Sequence, residues 1–431
     1  MKNPNSAHQR LTPSQRNAFI ACFLGWSLDA FDFFIFNFCI TAIAADFHVK
    51  RAVVVEGTFW TLAMRPLGAL IFGALAERWG RRRTLMLNVI SFSIFELASA
   101  FAPTLTFLMI TRALFGIAMG GEWGVGAALA FETLPKERRG FFSGLLQEGY
   151  VTGNLIAGLV YALVFPHLHI GGAWAPWRTM FIIGAAPTLL VFYIRSKVEE
   201  SPAWVAGRGE TAKAPTRGLS LHDIKTYLPS FVFLVLLMTA FTSFSHGSQD
   251  LYPTFLQADR GTNDFWKGMI SNVSSVGALA GGITFGTLSE RIGRRRAIIL
   301  ASLLAIPMIP LWAWTHHFVL IALGGFLMQF AIQGAWGVVP AYLNEMAPSA
   351  VRATFPGVAY QLGNLLSSRN DVFQEKIAEH HFGGDLTVVL SATVAIVAVI
   401  LAIMTALAKE RKGLDMSQAL GQNLMMEELN R

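Results

Sequence analysis

Charge is scarce in this chain. Of 431 residues, 14% are Asp, Glu, Lys or Arg, 53% are hydrophobic, and the mean hydropathy is +0.48. Globular domains carry about 25% charged residues, so a soluble fold is excluded. Cysteine is scarcer still. Cys22 and Cys39 both fall in the first apolar run, which leaves no disulfide framework and no Cys/His metal cluster. The chain also lacks an H-E-x-x-H pair, a nucleophile motif with partners and a G-x-x-x-x-G-K-[ST] loop. An enzyme or an ATP-driven pump therefore has no support here, and neither a cofactor nor a metal is expected.

Long apolar runs are what the chain has instead. A membrane-crossing helix needs about 20 such residues, and twelve runs qualify: 17–44, 54–76, 84–102, 104–131, 140–165, 174–195, 228–256, 266–289, 297–315, 318–343, 353–373 and 385–408. The eleventh is interrupted by Arg369 and Asp371. The fold class predicted is all-α integral membrane with twelve transmembrane helices. The polar residues 1–16 lead into a full-length span, so no cleavable signal peptide is expected. Trp60, Trp266 and Trp312, near span ends, read as interfacial anchors.

The net charge of +7 does not point to nucleic acid. Most Lys and Arg lie in the tails and in the loops after even-numbered spans, and positive charge marks the cytoplasmic side. A bacterial inner-membrane location with both termini cytoplasmic is predicted, with the lipid bilayer as surroundings and a monomer as the expected state.

The chain repeats itself. GALAERWGRRR at 73–83 returns as GTLSERIGRRR at 286–296, and one offset of 213 also relates Trp123 to Trp336, Glu132 to Glu345, Arg139 to Arg352 and Gly144 to Gly357. The polar stretch 196–227 separates the copies. The domains predicted are an N-terminal tail 1–16, a six-helix half 17–195, a cytoplasmic linker 196–227, a second half 228–408 and a tail 409–431. Parallel repeats of this kind occur in transporters, with the substrate at mid-membrane between the halves.

This pattern resembles the major facilitator superfamily. Its loop signature G-x-x-x-[DE]-R-x-G-R-R occurs twice, with Glu77 and Glu290 at the acidic position, and its span-4 pattern R-x-x-x-G occurs as Arg112 to Gly116. The charges Glu77, Arg78 and Arg81, and in the second copy Glu290, Arg291 and Arg294, can pair across helix ends and latch the halves. The plainer alternative is that they only fix topology.

Ionisable groups inside a membrane are costly and are functional candidates by default. Arg65 lies about 16 Å inside its span at 1.5 Å per residue, close to the midplane. A guanidinium there suits a carboxylate held by two parallel hydrogen bonds. An anion entering a negative-inside cell is opposed by about 2.3 kcal/mol per 100 mV, and a proton carried with it removes that opposition. The groups available to carry it are Asp29 and Asp32, three apart on one face of span 1, Glu148 in span 5, and His246 with Asp250, four apart on span 7. The apolar surroundings of the last pair favour a net-neutral state. Arg112 and Glu122 read equally as structural, and Glu96 as facing a neighbouring helix.

SHGSQDLYPT at 245–254 resembles the span-7 signature of lactate and monocarboxylate permeases in the sialate:proton symporter family, through Ser245, His246, Ser248, Gln249, Asp250 and Thr254. Thr242 departs from that family's Asn. TLAMRPLGALIFG at 61–73 resembles its span-2 arginine segment. LQEGYVTGN at 146–154 and AYQLGN at 359–364 are similar to its span-5 and span-11 segments, and WSLDAFDFF at 26–34 to span 1 of the wider group. The resemblance implies a substrate site at Arg65, Tyr150, Gln361, Asn364 and His246, proton coupling at Asp29, Asp32, Asp250, His246 and Glu148, and gating at the loop charges. It implies proton-coupled symport of a small monocarboxylate such as lactate or pyruvate. A larger acid, sialate or aromatic, remains a rival, and a transporter-like sensor a remote one.

Overall fold

The computed structural model describes residues 11–168, 175–186, 188–211, 221–348 and 351–412. The outer parts of both tails and residues 212–220 of the expected linker lie outside the described residues. Among the described residues there is no strand. Twelve helical elements follow one another: α1 Pro13–Asp46, α2 Arg51–Trp79, α3 Arg81–Ala100, α4 Leu105–Thr133, α5 Arg139–Gln147 continued by Gly149–Val164, and α6 Pro176–Gly184 with Thr188–Lys197. The second set is α7 Leu221–Gln249 with Tyr252–Ala258, α8 Asp264–Ile292, α9 Arg294–Ile309, α10 Phe318–Met346, α11 Phe355–Ser367 with Asn370–Phe382, and α12 Leu386–Leu407. Nine are by themselves long and apolar enough to cross a membrane, among the described residues; the more polar α3, α8 and α11 are not.

The first helix begins inside the expected tail. Thr12 Oγ1 accepts from Gln15 N at 3.2 Å, Gln15 Oε1 accepts from Thr12 N at 3.0 Å, and Pro13 opens the first turn. These bonds satisfy orphan donors at the helix start, so α1 starts at residue 13 rather than 17. Besides α6, given above as two segments, four spans are less continuous than their apolarity suggests. The α5 helix is interrupted at Glu148, α7 bends at Asp250 and Leu251, and α11 breaks at Ser368 and Arg369. The α9 helix ends in a wide turn, Pro310–Trp314, because Pro310 has no N–H for the regular ladder. That turn buries Trp312, 1% exposed, in a stack 4.8 Å from Tyr252. It is therefore a core residue and not an interfacial anchor, while Trp60 is 40% exposed.

The loop repeat has a physical reason. Gly80 and Gly293 both adopt φ of +99° where α2 and α8 end, a conformation open to glycine. Within each half the same offset governs packing. A Cβ at Gly68 on α2 would overlap the Ile117 carbonyl on α4, and one at Gly281 on α8 the Phe330 carbonyl on α10. The glycines let these backbones touch, as small residues do between membrane helices.

The expected linker is partly docked. Glu200 accepts the backbone N–H of Arg81 at 2.8 Å and of Arg82 at 3.1 Å, capping α3. The Ser201 hydroxyl donates to Glu132, and Trp204 Nε1 donates to the Glu77 carbonyl at 2.9 Å. A short helix, Pro202–Thr211, follows. In the second copy Glu410 plays the capping part, accepting from Arg295 N at 3.0 Å.

The halves, α1–α6 and α7–α12, meet at the end that carries the arginine-rich loops, here the basic end. The first segment of α5 packs on α8 and α10, and α2 and α4 pack on the first segment of α11. Gly140 and Gly144 press against Gly286 and Gly282, and Gly124 against Gly357. The extensive contacts between the halves all lie on this side.

Candidate functional site

Above the basic-end contacts the two halves present aromatic rings to each other. Trp123 of α4 and Trp336 of α10, equivalent by the repeat, both pack on Tyr360 of α11, with centroids 4.7 and 5.7 Å away. Trp336 also meets Phe241 at 5.6 Å. On the N-terminal side, Tyr150 packs on Trp26 at 5.4 Å and on Phe34 at 5.3 Å. These residues make a floor and a wall, and the Trp123–Tyr360 contact joins the two halves.

Arg65 lies within this frame. It is 4% exposed, its guanidinium stands 5.2 Å over the Phe33 ring, and Nη2 touches the Met119 sulfur. Its Nε has no hydrogen-bond partner, and among the described residues it makes no ion pair. Its charge acts on Asp29, Tyr150 and Tyr360 together, so the sequence-selected arginine and tyrosine do come together. Tyr360 belongs to the set as well. It lies in the AYQLGN segment, directly before Gln361.

From the other half come Gln361, 1% exposed, and Asn364, whose Nδ2 donates to Gln361 Oε1 at 3.4 Å. His246 reaches the same neighbourhood through Asn364. His246 Nδ1 lies 3.1 Å from Asp250 Oδ2 and 3.3 Å from Oδ1, so the spacing of four does make a pair. Their side chains are 44% and 41% exposed, so the pair is not packed into the protein core. The bend at Asp250 ends the helix there and leaves the pair facing away from the basic end. Thr242, where the resembling family has Asn, ties helices instead: its hydroxyl donates to the Gly363 carbonyl at 3.1 Å and accepts from Ser367 at 2.8 Å.

Asp29 and Asp32 are both fully buried, and none of their carboxylate oxygens has a hydrogen-bond partner. They serve different neighbours. Asp29 is in the field of Arg65 and Glu122, whereas Asp32 faces Glu96 and Arg112. Glu96, set aside on sequence, pairs with Arg112 at 2.5 Å, and Arg112 also donates to Ser99 at 2.8 Å beneath the rings of Phe36, Phe115 and Phe181. A second carboxylate group thus accompanies the two acids of α1, and helix spacing alone could not reveal a partner on another helix. Glu148, 2% exposed, occupies the α5 interruption with both oxygens unpartnered, against Gly282 of the opposite half.

The loop charges divide by role. Arg81 pairs with Glu77 at 2.8 Å and with Glu132 through two bonds of 3.1 Å; Arg294 pairs with Glu345 at 3.0 and 3.1 Å. The link between the halves is carried by the acids: Glu77 accepts from Ala353 N at 2.7 Å and Glu290 from Phe141 N at 2.8 Å. Arg78 and Arg291 are exposed and do not join these pairs. Among the described residues no group of His, Cys, Asp and Glu could hold a metal.

Residues 22–368 match the family described as the Major Facilitator Superfamily. The chain belongs to that superfamily. Among curated relatives of this major facilitator protein, a probable 4-methylmuconolactone transporter of Cupriavidus pinatubonensis is 31% identical over 386 residues, covering 86% of this chain and 85% of the relative. The sialic acid transporter NanX of Escherichia coli is 28% identical, covering 83% and 85%. A carboxylic acid transporter protein homolog of Saccharomyces cerevisiae is 28% identical, covering 88% and 64%. In fold, the superfamily's proton:xylose symporter XylE superimposes with a TM-score of 0.76 over 95% of this chain and 99% of its own, at 18% identity. The twelve-helix, two-half major facilitator fold is thereby established, and the protein is a multi-pass membrane protein of the transporter superfamily.

Proposed function

We propose that this protein is a proton-coupled symporter of a small monocarboxylate, lactate or pyruvate being the type, working by alternating access. The observation that carries the reading is Arg65: a buried guanidinium without an ion-pair partner among the described residues, within electrostatic reach of Tyr150 and Tyr360. A buried charge of this kind is costly unless something pairs with it, and a carboxylate fits its fork. The span-7 resemblance to lactate permeases supports the acid's small size. The aromatic frame and the relatives named for methylmuconolactone, niacin and sialic acid favour a second reading, in which a larger, ring-bearing acid occupies the same place.

The basic end faces the cytoplasm of a bacterial cell, as its arginines require, and both termini lie there. The conformation with the basic end sealed is then the one that loads from outside. Asp29, Asp32 and Glu148 are buried carboxyls able to take the proton, and the exposed His246–Asp250 pair delivers it from the outer side. Asp250→Asn is expected to keep substrate binding while losing uphill accumulation. Unchanged accumulation with an unchanged pH profile would instead make the pair part of the outer gate.

The function is tested by uptake of labelled lactate, pyruvate, nicotinate, muconate and sialate into proteoliposomes. An inward proton gradient should drive accumulation, a protonophore should abolish it, and a sodium gradient should not replace it. Uptake that follows sodium and ignores pH would refute symport with protons, and a preference for nicotinate or muconate would decide for the larger acid.

A further inference from the structure

The site described above holds more hydrogen-bond donors than a simple carboxylate can use. Trp123 Nε1, Trp336 Nε1 and Gln361 Nε2 are each buried and without a partner. Their residues are 2%, 4% and 1% exposed. The two indoles adjoin Tyr360 by ring contact, and Gln361 follows Tyr360 on α11. The Gln361 oxygen is already taken by Asn364, so what the side chain has left to offer is N–H. Indole nitrogen donates and never accepts. The floor is therefore a set of donors, and it is separate from the guanidinium, which already answers the carboxylate.

Chance burial is a poor account of this set. Buried polar groups in folded proteins are nearly always paired, and an unpaired donor loses its hydration without recompense. Trp123 and Trp336 are moreover the same position of the two halves, offset by 213 in a sequence whose other repeated residues carry structure. If either ring served packing alone, phenylalanine would fill much the same place with no polar atom to bury.

We propose that Trp123 and Trp336 are specificity-determining residues that, beside the Gln361 amide already assigned to the substrate site, recognise a second acceptor on the substrate, so that the transported acids carry a keto, hydroxy, lactone or ring-nitrogen group beside the carboxylate. This rests on the carboxylate reading of Arg65 and narrows it. A site built to hydrogen-bond a substrate group discriminates sharply against an analogue that lacks it, because its own donors are then left unpaired. Simple alkyl acids of the same size are poor ligands on this account.

The test compares near-isosteric pairs that differ in one acceptor: pyruvate against propionate, and nicotinate against benzoate. Each is titrated onto purified full-length protein in detergent, as wild type and as Trp123→Phe, Trp336→Phe and Gln361→Leu. Wild type should bind the acceptor-bearing member of at least one pair about tenfold more tightly, the worth of a hydrogen bond in a buried site. One or more of the variants should narrow that gap, weakening the acceptor-bearing acid more than its alkyl or phenyl partner. Phenylalanine keeps the ring stack on Tyr360, and a thermal unfolding curve checks that each variant is folded. Equal affinity within both pairs in wild type overturns the proposal while leaving carboxylate binding intact. So does a preference that survives in all three variants. If none of the four acids binds, the carboxylate reading has failed, and this inference with it.

Discussion

Arg65→Ala is expected to abolish carboxylate transport while leaving a folded protein. Truncating one partner of a buried charge pair costs about 2–5 kcal/mol, which is a loss of roughly thirtyfold to several thousandfold in affinity. Arg65→Lys keeps the charge but replaces a planar fork with a single ammonium, and binding at least tenfold weaker is expected. Titration of substrate onto purified protein separates the two. The Lys variant should retain weak binding and the Ala variant none, and both should elute from a sizing column as wild type does. Near-normal affinity in Arg65→Lys would place the carboxylate elsewhere, with Arg112 the next buried guanidinium. That alternative is disfavoured because Arg112 already holds Glu96 at 2.5 Å.

Gly144→Leu is expected to stop transport for a different reason. Gly144 of α5 lies against the backbone of Gly282 and Ile283 in α8, and an added Cβ would overlap the Gly282 carbonyl. Leucine can be accommodated by parting the halves at the basic end, so the variant should be held open there. Because the clash is between halves and not inside one, each half should still fold. The readout is a reporter, Ala353→Cys, at a position 1% exposed when the basic end is sealed. The native Cys22 and Cys39 are buried and stay silent. In the Gly144→Leu background a membrane-impermeant maleimide should label the reporter from the basic side, with little labelling in its absence. Transport that persists, or labelling that does not rise, would mean that the glycine contact is incidental to closure.

The repeat and its consequences were legible in the chain because they rest on local chemistry. A positive φ at Gly80 and Gly293 and the glycine contacts of α2 with α4 and α8 with α10 recur at a fixed offset. Arg65 and Tyr150 could be placed together because depth in a membrane helix follows from counting residues. What escaped the sequence depended on neighbours in other helices. Glu96 does face a neighbouring helix as the sequence suggests, but that Arg112 is its partner could not be read there. Trp312 looked like an anchor because hydropathy cannot tell a ring at an interface from one folded inward by the wide turn at Pro310. His246 and Asp250 share a face, as their spacing requires, but the bend that exposes them comes from how α7 ends and leaves no mark in their spacing. Tyr360 was hidden by its own plainness: one tyrosine in an apolar segment does not announce that two symmetry-related indoles will close on it.

The central claim is that one carboxylate and one proton move together through the Arg65 site. For a monoanion this makes the cycle electroneutral, so each pH unit of gradient, worth about 1.4 kcal/mol, should support about tenfold accumulation whatever the membrane potential. The most direct measurement is made on lightly buffered proteoliposomes with a pH dye outside, to which substrate is added without any imposed gradient. The expected result is prompt alkalinisation of the medium as acid enters, matched mole for mole by labelled substrate taken up, and absent with Arg65→Ala. Substrate entry with no pH change, or entry that responds to an imposed potential and not to pH, would contradict the account.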